Sequence, residues 1–392
     1  MRLEIGTFPV HDVVFGRQTR WHQGILEVNR EALLNEIARD PRIKSADIQL
    51  ARPGESVRIT KVRDVLEPRV KVSGPGVPYP GVCGRAVEIV GTGRTHRLQG
   101  VTVVESADVE MYEGYDAAVE IFLDMSGPAQ HLTPFGSMLN LCLVAEPDRS
   151  ISIYDQNDAI HAAALLISDR LGETVRNLEP AQLETFELGD VDPSLPRVVY
   201  IWCIRSSEHY SHSLYAHWTA IYGFTRLTPP WLLHPNEVLD GAISNGSPYH
   251  GPMATSWVYV NNPVLLSLYK AHGKHLNFLG VINIRTRWTS QMEKDVVSKQ
   301  AAKLAYMIKA QGAIITWDSG GNDFMETIRT VQACEKLGIK TVFLTGEEPP
   351  SSGGPPLLEP LPEANAIVST GTRFFTEEGV EGLPPVERVL GK

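Results

Sequence analysis

The chain has 392 residues, 43% hydrophobic and 21% charged, with 36 Lys and Arg against 46 Asp and Glu for a formal net charge of −10. That length sets a soft expectation of two domains, each large enough for its own core. The acidic balance argues against nucleic acid or an anionic membrane as partner, since either rewards a basic face, while a local basic pocket remains compatible with it. The opening MRLEIGTFPV alternates charged and apolar residues and carries no apolar core, so it does not read as a signal peptide. No stretch approaches the roughly 20 apolar residues that span a bilayer. Cys83, Cys142, Cys203 and Cys334 lie far apart with no C-x-x-C pair. Reduced thiols in a cytoplasmic protein are the expectation.

In chain order, the part up to about Pro147 reads as β-rich. MRLEIGTF, GILEVN, ADIQLARP, VRITKV, PRVKV, AVEIVG, GVTVVE and NLCLVAE are short runs rich in β-branched residues, separated by Gly, Pro, Asn or Asp. One helix interrupts them at Arg30–Arg39, and the Gly- and Pro-rich SGPGVPYPG (Ser73–Gly81) is an irregular loop. Beyond it the pattern changes. A helix over Asp158–Leu171 precedes VVYIWCI (Val198–Ile204), a continuous apolar run of the kind buried on both faces of a sheet. NFLGVINI, AIITW, TVFLT and AIVST repeat that type. Between them one helix places Val297, Ala301, Leu304, Ala305 and Ile308 on a single face, and FMETIRTVQACEKLG ends on a capping Gly338. The Pro-rich Glu348–Ala364 reads as a long loop. The expected fold is α/β: a β-rich domain over 1–150, then a mostly parallel, doubly wound α/β domain over 151–392.

Open parallel sheets bind ligands beyond the carboxyl ends of their strands. Here those ends carry Arg205–His212, Arg285–Trp288, Asp318–Asp323, Thr345–Glu348 and Thr370–Thr372, all polar. This convergence is the main physical pointer to a small-molecule site. Asp318, Asp323, Glu347 and Glu348 suit general acid or base work, or capping. Arg285 and Arg287 suit a substrate carboxylate, with Ser319, Asn322 and Gly371 as further binding positions. His209, His212, His217, His234 and His250 are either metal ligands or acid/base histidines; H-x-x-H at His209 and His212 is a weak metal signal. GTG (Gly91–Gly93) and SGGND lack the complete phosphate-loop patterns. Arg52, Arg58, Arg69 and Arg94 suit a carboxylate ligand, a partner subunit or salt bridges within the domain, the last being favoured, and Cys203 suits a reactive thiol or, preferably, a buried structural one.

Several strings together resemble one family, the component B alpha/beta subunit of glycine, sarcosine and betaine reductases, related to the D-proline reductase proprotein. They include ARPGESVRI (Ala51–Ile59), DVLEPRVKVSGPG (Asp64–Gly76), GTGRTHRLQG (Gly91–Gly100), HPNEVLDGAI (His234–Ile243), NNPV (Asn261–Val264), HGKHLNFLGVI (His272–Ile282) and GIKTVFLTGE (Gly338–Glu347). The resemblance implies a substrate-binding subunit of a complex that reductively cleaves a C–N bond beside a smaller subunit bearing Cys or selenocysteine. In the glycine and proline enzymes it also implies self-cleavage at a cysteine between DGAI and NNP, leaving a pyruvoyl group. Here the intervening SNGSPYHGPMATSWVYV has no cysteine, and Ser247, the nearest substitute, precedes Pro248. The expectation is an intact chain without pyruvoyl. His250, with His209 or His212, is the candidate replacement, as a general base or as ligands of a divalent metal. Proton transfer falls to His212, His234, His250, Asp318 or Glu347.

Three functions follow from these readings. The first is the larger subunit of a two-component enzyme cleaving a C–N bond of a small amine, amino acid or amide. The second is a metal- or His-dependent hydrolase or lyase on the same scaffold. The third is a non-catalytic binding subunit.

Overall fold

The computed structural model describes residues 1–109, 122–205, 220–224, 229–245, 255–287, 289–317, 324–347, 357, 359–372 and 383–391. The chain is a mixed α/β protein built on several sheets. Strand Arg2–Pro9 lies in a four-stranded sheet between Gln182–Glu187, antiparallel to it, and Gly93–Gln99, parallel to it; Arg69–Ser73 forms the far edge. A second sheet is ordered Ile43–Ala51, Leu139–Pro147, Val101–Ala107, Val62–Leu66. The helix Ile153–Glu173 starts where Ser152 Oγ accepts the Asp155 N–H at 3.1 Å. Its Ala159, Ile160, Ala163, Ala164, Ile167 and Leu171 share one apolar cluster with Phe8, Leu66, Leu98, Val103 and Leu141 of both sheets. This helix and Gln182–Glu187 lie beyond residue 150 yet pack with the first sheets. The strand Arg388–Leu390 also returns to pair parallel with Val57–Ile59.

The other large sheet has six strands, ordered Trp231–Leu233, Asn277–Thr286, Arg197–Arg205, Gly312–Trp317, Lys340–Glu347, Ala366–Thr372. Every neighbouring pair is parallel except the first, which is antiparallel. One face packs Val199, Ile201, Cys203, Ile282 and Ile284 against Val297, Ala301 and Ala305 of helix Gln291–Met307 and Ile328, Val331 and Cys334 of helix Phe324–Lys336. The other face packs Tyr200 and Trp202 with Tyr259 of helix Ser256–Val260 and Leu265 and Leu268 of helix Pro263–Ala271. Leu3 and Ile5 of the first strand join that second cluster and so connect the two halves of the molecule.

Several expectations change. AVEIVG holds no strand: residues 86–91 are irregular, with Val87 and Ile89 exposed. VRITKV is two strands, Val57–Ile59 and Val62–Leu66, broken at Lys61, whose φ is 52°. The second-half helix begins earlier than expected, at Ile153, because Ser152 supplies its cap. Gly338 ends helix Phe324–Lys336 as expected: its φ is 79°, and the Ile339 N–H donates to Cys334 O at 3.0 Å. Among the described residues no helix is long and apolar enough to cross a membrane.

Candidate functional site

At the carboxyl end of strand Asn277–Thr286, Arg285 and Arg287 are both buried. Their Nη2 atoms donate to the same Glu293 Oε2, at 3.2 and 3.0 Å, and Thr289 Oγ1 donates to it at 2.6 Å. These contacts hold the Glu293 carboxyl below its ordinary value. Ser290 Oγ caps the next helix by accepting the Glu293 N–H, which sets this carboxylate over the strand end. Below lies a fully buried pair, Lys294 Nζ donating to Glu326 Oε2 at 2.7 Å and to Arg287 O at 2.6 Å. Burial raises the Glu326 carboxyl to about 7 in spite of Lys294. Burial, and next to it the Arg287 charge, lowers Arg285. Arg285 Nε and Nη1 are buried with no hydrogen-bond partner among the described residues. A guanidinium held in this way keeps charged donors on two separate edges, each able to reach one oxygen of an anionic group.

Glu347 and Gly371 lie together on the two strands farthest from Arg285. Ser369 Oγ donates to Glu347 and accepts the Gly371 N–H at 3.0 Å. Strand steps of ~4.8 Å put the Glu347 strand, three steps away, roughly 14 Å and the Gly371 strand, four steps away, roughly 19 Å from the Arg285 strand, so the two groups share a sheet end without touching. His234 is elsewhere. It caps the helix Pro235–Leu239, its Nδ1 accepting the Asn236 N–H at 3.2 Å and its own N–H donating to Glu237 Oε1 at 2.7 Å. The adjoining strand Trp231–Leu233 is antiparallel, with Leu233 opposite Val281, so His234 lies toward the amino end of the strand that carries Arg285. Burial lowers its imidazole to about 4. His209, His212, His250, Asp318, Ser319 and Asn322 lie outside the described residues. Among the described ones no cluster of three or more His, Cys, Asp and Glu could hold a metal.

A second polar cluster, absent from the sequence reading, lies where the altered stretch begins and ends. Asp64 accepts the Ser256 N–H at 2.8 Å and the Ser256 hydroxyl at 2.5 Å, and Ser256 Oγ accepts the Asn245 N–H at 2.9 Å. Beside it His161 Nδ1 meets Glu105 Oε2 at 2.8 Å, and Arg63 Nε lies 3.4 Å from Glu105 Oε1. All these side chains are buried. Asp64 sits in one of the resembling strings; Glu105 and His161 carry no local signal, because distant elements bring them together. Other polar residues of those strings turn out to hold the fold. Asp240 accepts from Lys71 Nζ, the Gly91 N–H (2.7 Å) and Thr95 Oγ1 (2.5 Å), and Arg69 Nη1 donates to Leu239 O at 2.6 Å. Arg52, Arg58, Arg69 and Arg94 all meet carboxylates of this chain, at Glu55, Asp124, Glu67 and Glu4. Cys203 is buried beneath the sheet-packing helices.

Comparison with known proteins matches this chain along its full length. A family model described as glycine/sarcosine/betaine reductase component B subunits covers residues 1–392. The glycine reductase complex component B subunits alpha and beta of Peptoclostridium acidaminophilum are 36% identical over 400 residues, spanning 100% of this chain and 89% of that protein. The sarcosine reductase complex component B subunit alpha of the same organism is 33% identical over 400 residues, with the same coverage. Its betaine reductase complex component B subunit alpha is 34% identical over 408 residues, spanning 100% of this chain and 88% of that protein. These relatives are named as components of complexes, and no solved structure matches. The chain therefore belongs to the glycine/sarcosine/betaine reductase component B family and is a reductase-family subunit.

Proposed function

We propose that this chain is the larger, substrate-binding subunit of a two-component enzyme that reductively cleaves a C–N bond of a small amine, amino acid or amide. Its partner in this reading is a smaller subunit bearing Cys or selenocysteine, and the location is cytoplasmic, in keeping with free thiols at all four cysteines. The observation that supports it best is the buried Arg285 guanidinium at the carboxyl end of a parallel strand, with Nε and Nη1 without a hydrogen-bond partner among the described residues. A substrate carboxylate would accept from one of those donors. Gly371 lies on the far side of the same sheet end, and Ser319 and Asn322 belong to the reading as further binding positions. Glu347, His212, His250 or Asp318 would move protons, with His234 kept as a more remote member of that set. His209, His212 and His250 would be the ligands if a divalent metal takes part. A ketone made from a cysteine does not fit this chain, because Ser244–Val260 contains none.

The same reading takes the fold as a β-rich unit over 1–150 and a doubly wound α/β unit over 151–392. Helices on both faces of the six-stranded sheet support the second unit, and the packing of Ile153–Glu173 favours a boundary somewhat later than 150.

The test is steady-state kinetics of the assembled complex with glycine, sarcosine and betaine as trial substrates. R285A should raise KM at least tenfold for an acid that the wild type turns over, as expected for about 1.5–3 kcal/mol of charge-assisted bonding, with kcat changed less. Unchanged KM in a folded R285A protein would remove the assignment. Dialysis against a chelator separates the metal version, which requires activity to be lost and then restored by added metal.

A further inference from the structure

Glu293 differs from the two arginines it meets. Its side chain is 43% exposed, while Arg285 and Arg287 are buried. One of its oxygens takes every bond: Oε2 accepts from Arg285 Nη2 at 3.2 Å, Arg287 Nη2 at 3.0 Å and Thr289 Oγ1 at 2.6 Å, and Oε1 accepts none among the described residues. An exposed carboxylate, gripped through a single oxygen, therefore sits on two buried cationic donors. The local sequence also gives that carboxylate a second place to go. Ser290-Gln291-Met292-Glu293 has the S-x-x-E pattern of a capping box, in which Ser takes the Glu N–H and the Glu side chain takes the Ser N–H. At His234 and Glu237 both halves of such a box are made. At Ser290 the first half is made, its Oγ accepting the Glu293 N–H at 3.3 Å, while the Glu293 carboxylate is turned to the arginines.

We propose that Glu293 is a displaceable stand-in for the substrate carboxylate. An incoming acid takes the place of Oε2 on Arg285, Arg287 and Thr289, and Glu293 swings to the Ser290 N–H, completing the capping box. This rests on the reading of Arg285 as the carboxylate-binding residue and adds the residue that sets how tightly it binds. No proton or covalent bond moves in the exchange. The buried arginines keep a carboxylate before and after it, so neither state leaves them with the cost of an uncompensated buried charge. The incoming acid has an advantage over the residue it displaces. Arg285 Nη1 is buried with no partner among the described residues, and once Glu293 leaves, Nη1 and Nη2 together form the paired donors that a carboxylate grips with both oxygens. Glu293 has an advantage of its own, being tethered beside the site at a high effective concentration. The balance makes it a gate on affinity: an acid able to use both oxygens enters, and weaker anions are kept off the arginines.

Calorimetric titration of the assembled complex with acetate and with glycine tests this without turnover. A carboxylate that holds the arginines about nine-tenths of the time lowers the apparent affinity for a ligand acid about tenfold. E293Q removes the charge and keeps a side chain that can cap, so it should bind acetate about tenfold more tightly than the wild type, with E293A moving in the same direction. In the wild type, saturating acetate should slow hydrogen exchange at the Ser290 amide. R285A reports on the underlying reading and should weaken acetate roughly tenfold or more. Weakening in R285A with no gain in E293Q or E293A overturns the stand-in and leaves the Arg285 reading in place. R285A without effect removes that reading and the stand-in with it. Glycine bound more weakly by E293Q while acetate is unchanged makes Glu293 an anchor for the amine, which also overturns the proposal. So does Ser290 exchange that acetate leaves unaltered.

Discussion

Lys294 and Glu326 show what one buried ion pair costs when half of it is removed. Lys294→Met leaves the Glu326 carboxylate without its cation beneath Arg287, and about 3–5 kcal/mol of stability should be lost where that acid is ionised, measured by urea denaturation at about pH 9. The same measurement repeated in acid should show a smaller loss, because Glu326 then takes a proton in the variant. Its carboxyl, at about 7 in the fold against an ordinary 4.5, contributes stability that is fully present below about 4.5 and falls as pH rises through 7. His234 offers a contrasting case. As a helix cap it should lose about 1 kcal/mol on replacement by Ala and little on replacement by Asn, whose side chain caps equally well. If His234 instead transferred protons, both variants would lose turnover alike.

Among the elements, the helix Phe324–Lys336 illustrates how a terminus is specified. Gly338→Ala should destabilise by about 1 kcal/mol, seen as a lower Tm, since a side chain is strained at a φ of 79° although nothing lies within 4 Å of the added Cβ. This glycine, the helix before it and the apolar strands of the six-stranded sheet were all legible in the sequence, because burial on both faces leaves an unbroken run of Val, Ile and Phe. Gly93–Gln99 was not legible. It reads GRTHRLQ, and its polar side chains have long-range partners: Arg97 donates to Thr7 and Asn261, Thr95 to Asp240, and His96 meets Val175 O. AVEIVG failed for the opposite reason, being apolar in composition while Val87 and Ile89 face water. The site divides in the same way. Arg285 could be found from its place after an apolar strand, whereas Asp64, Glu105 and His161 are separated by 41 and 56 positions, and no local pattern announces that a fold will gather them.

For the whole molecule, the strand Arg388–Leu390 matters out of proportion to its three residues. It lies parallel to Val57–Ile59; Arg388 Nη2 reaches Leu50 O at 2.8 Å, Leu390 O accepts from Thr60 Oγ1 at 2.9 Å, and Leu390 is buried in the cluster with Val57, Ile59 and Val65. A chain ended after Glu387 should expose the edge of Val57–Ile59, melt several degrees lower, and be cut more readily near that edge in limited proteolysis. Because Val57 is joined to a segment more than three hundred residues later, this corner cannot be completed until all of that intervening chain has been made. Until then the nascent β-rich half carries an open seam, which is where a chaperone would find its longest-lived foothold.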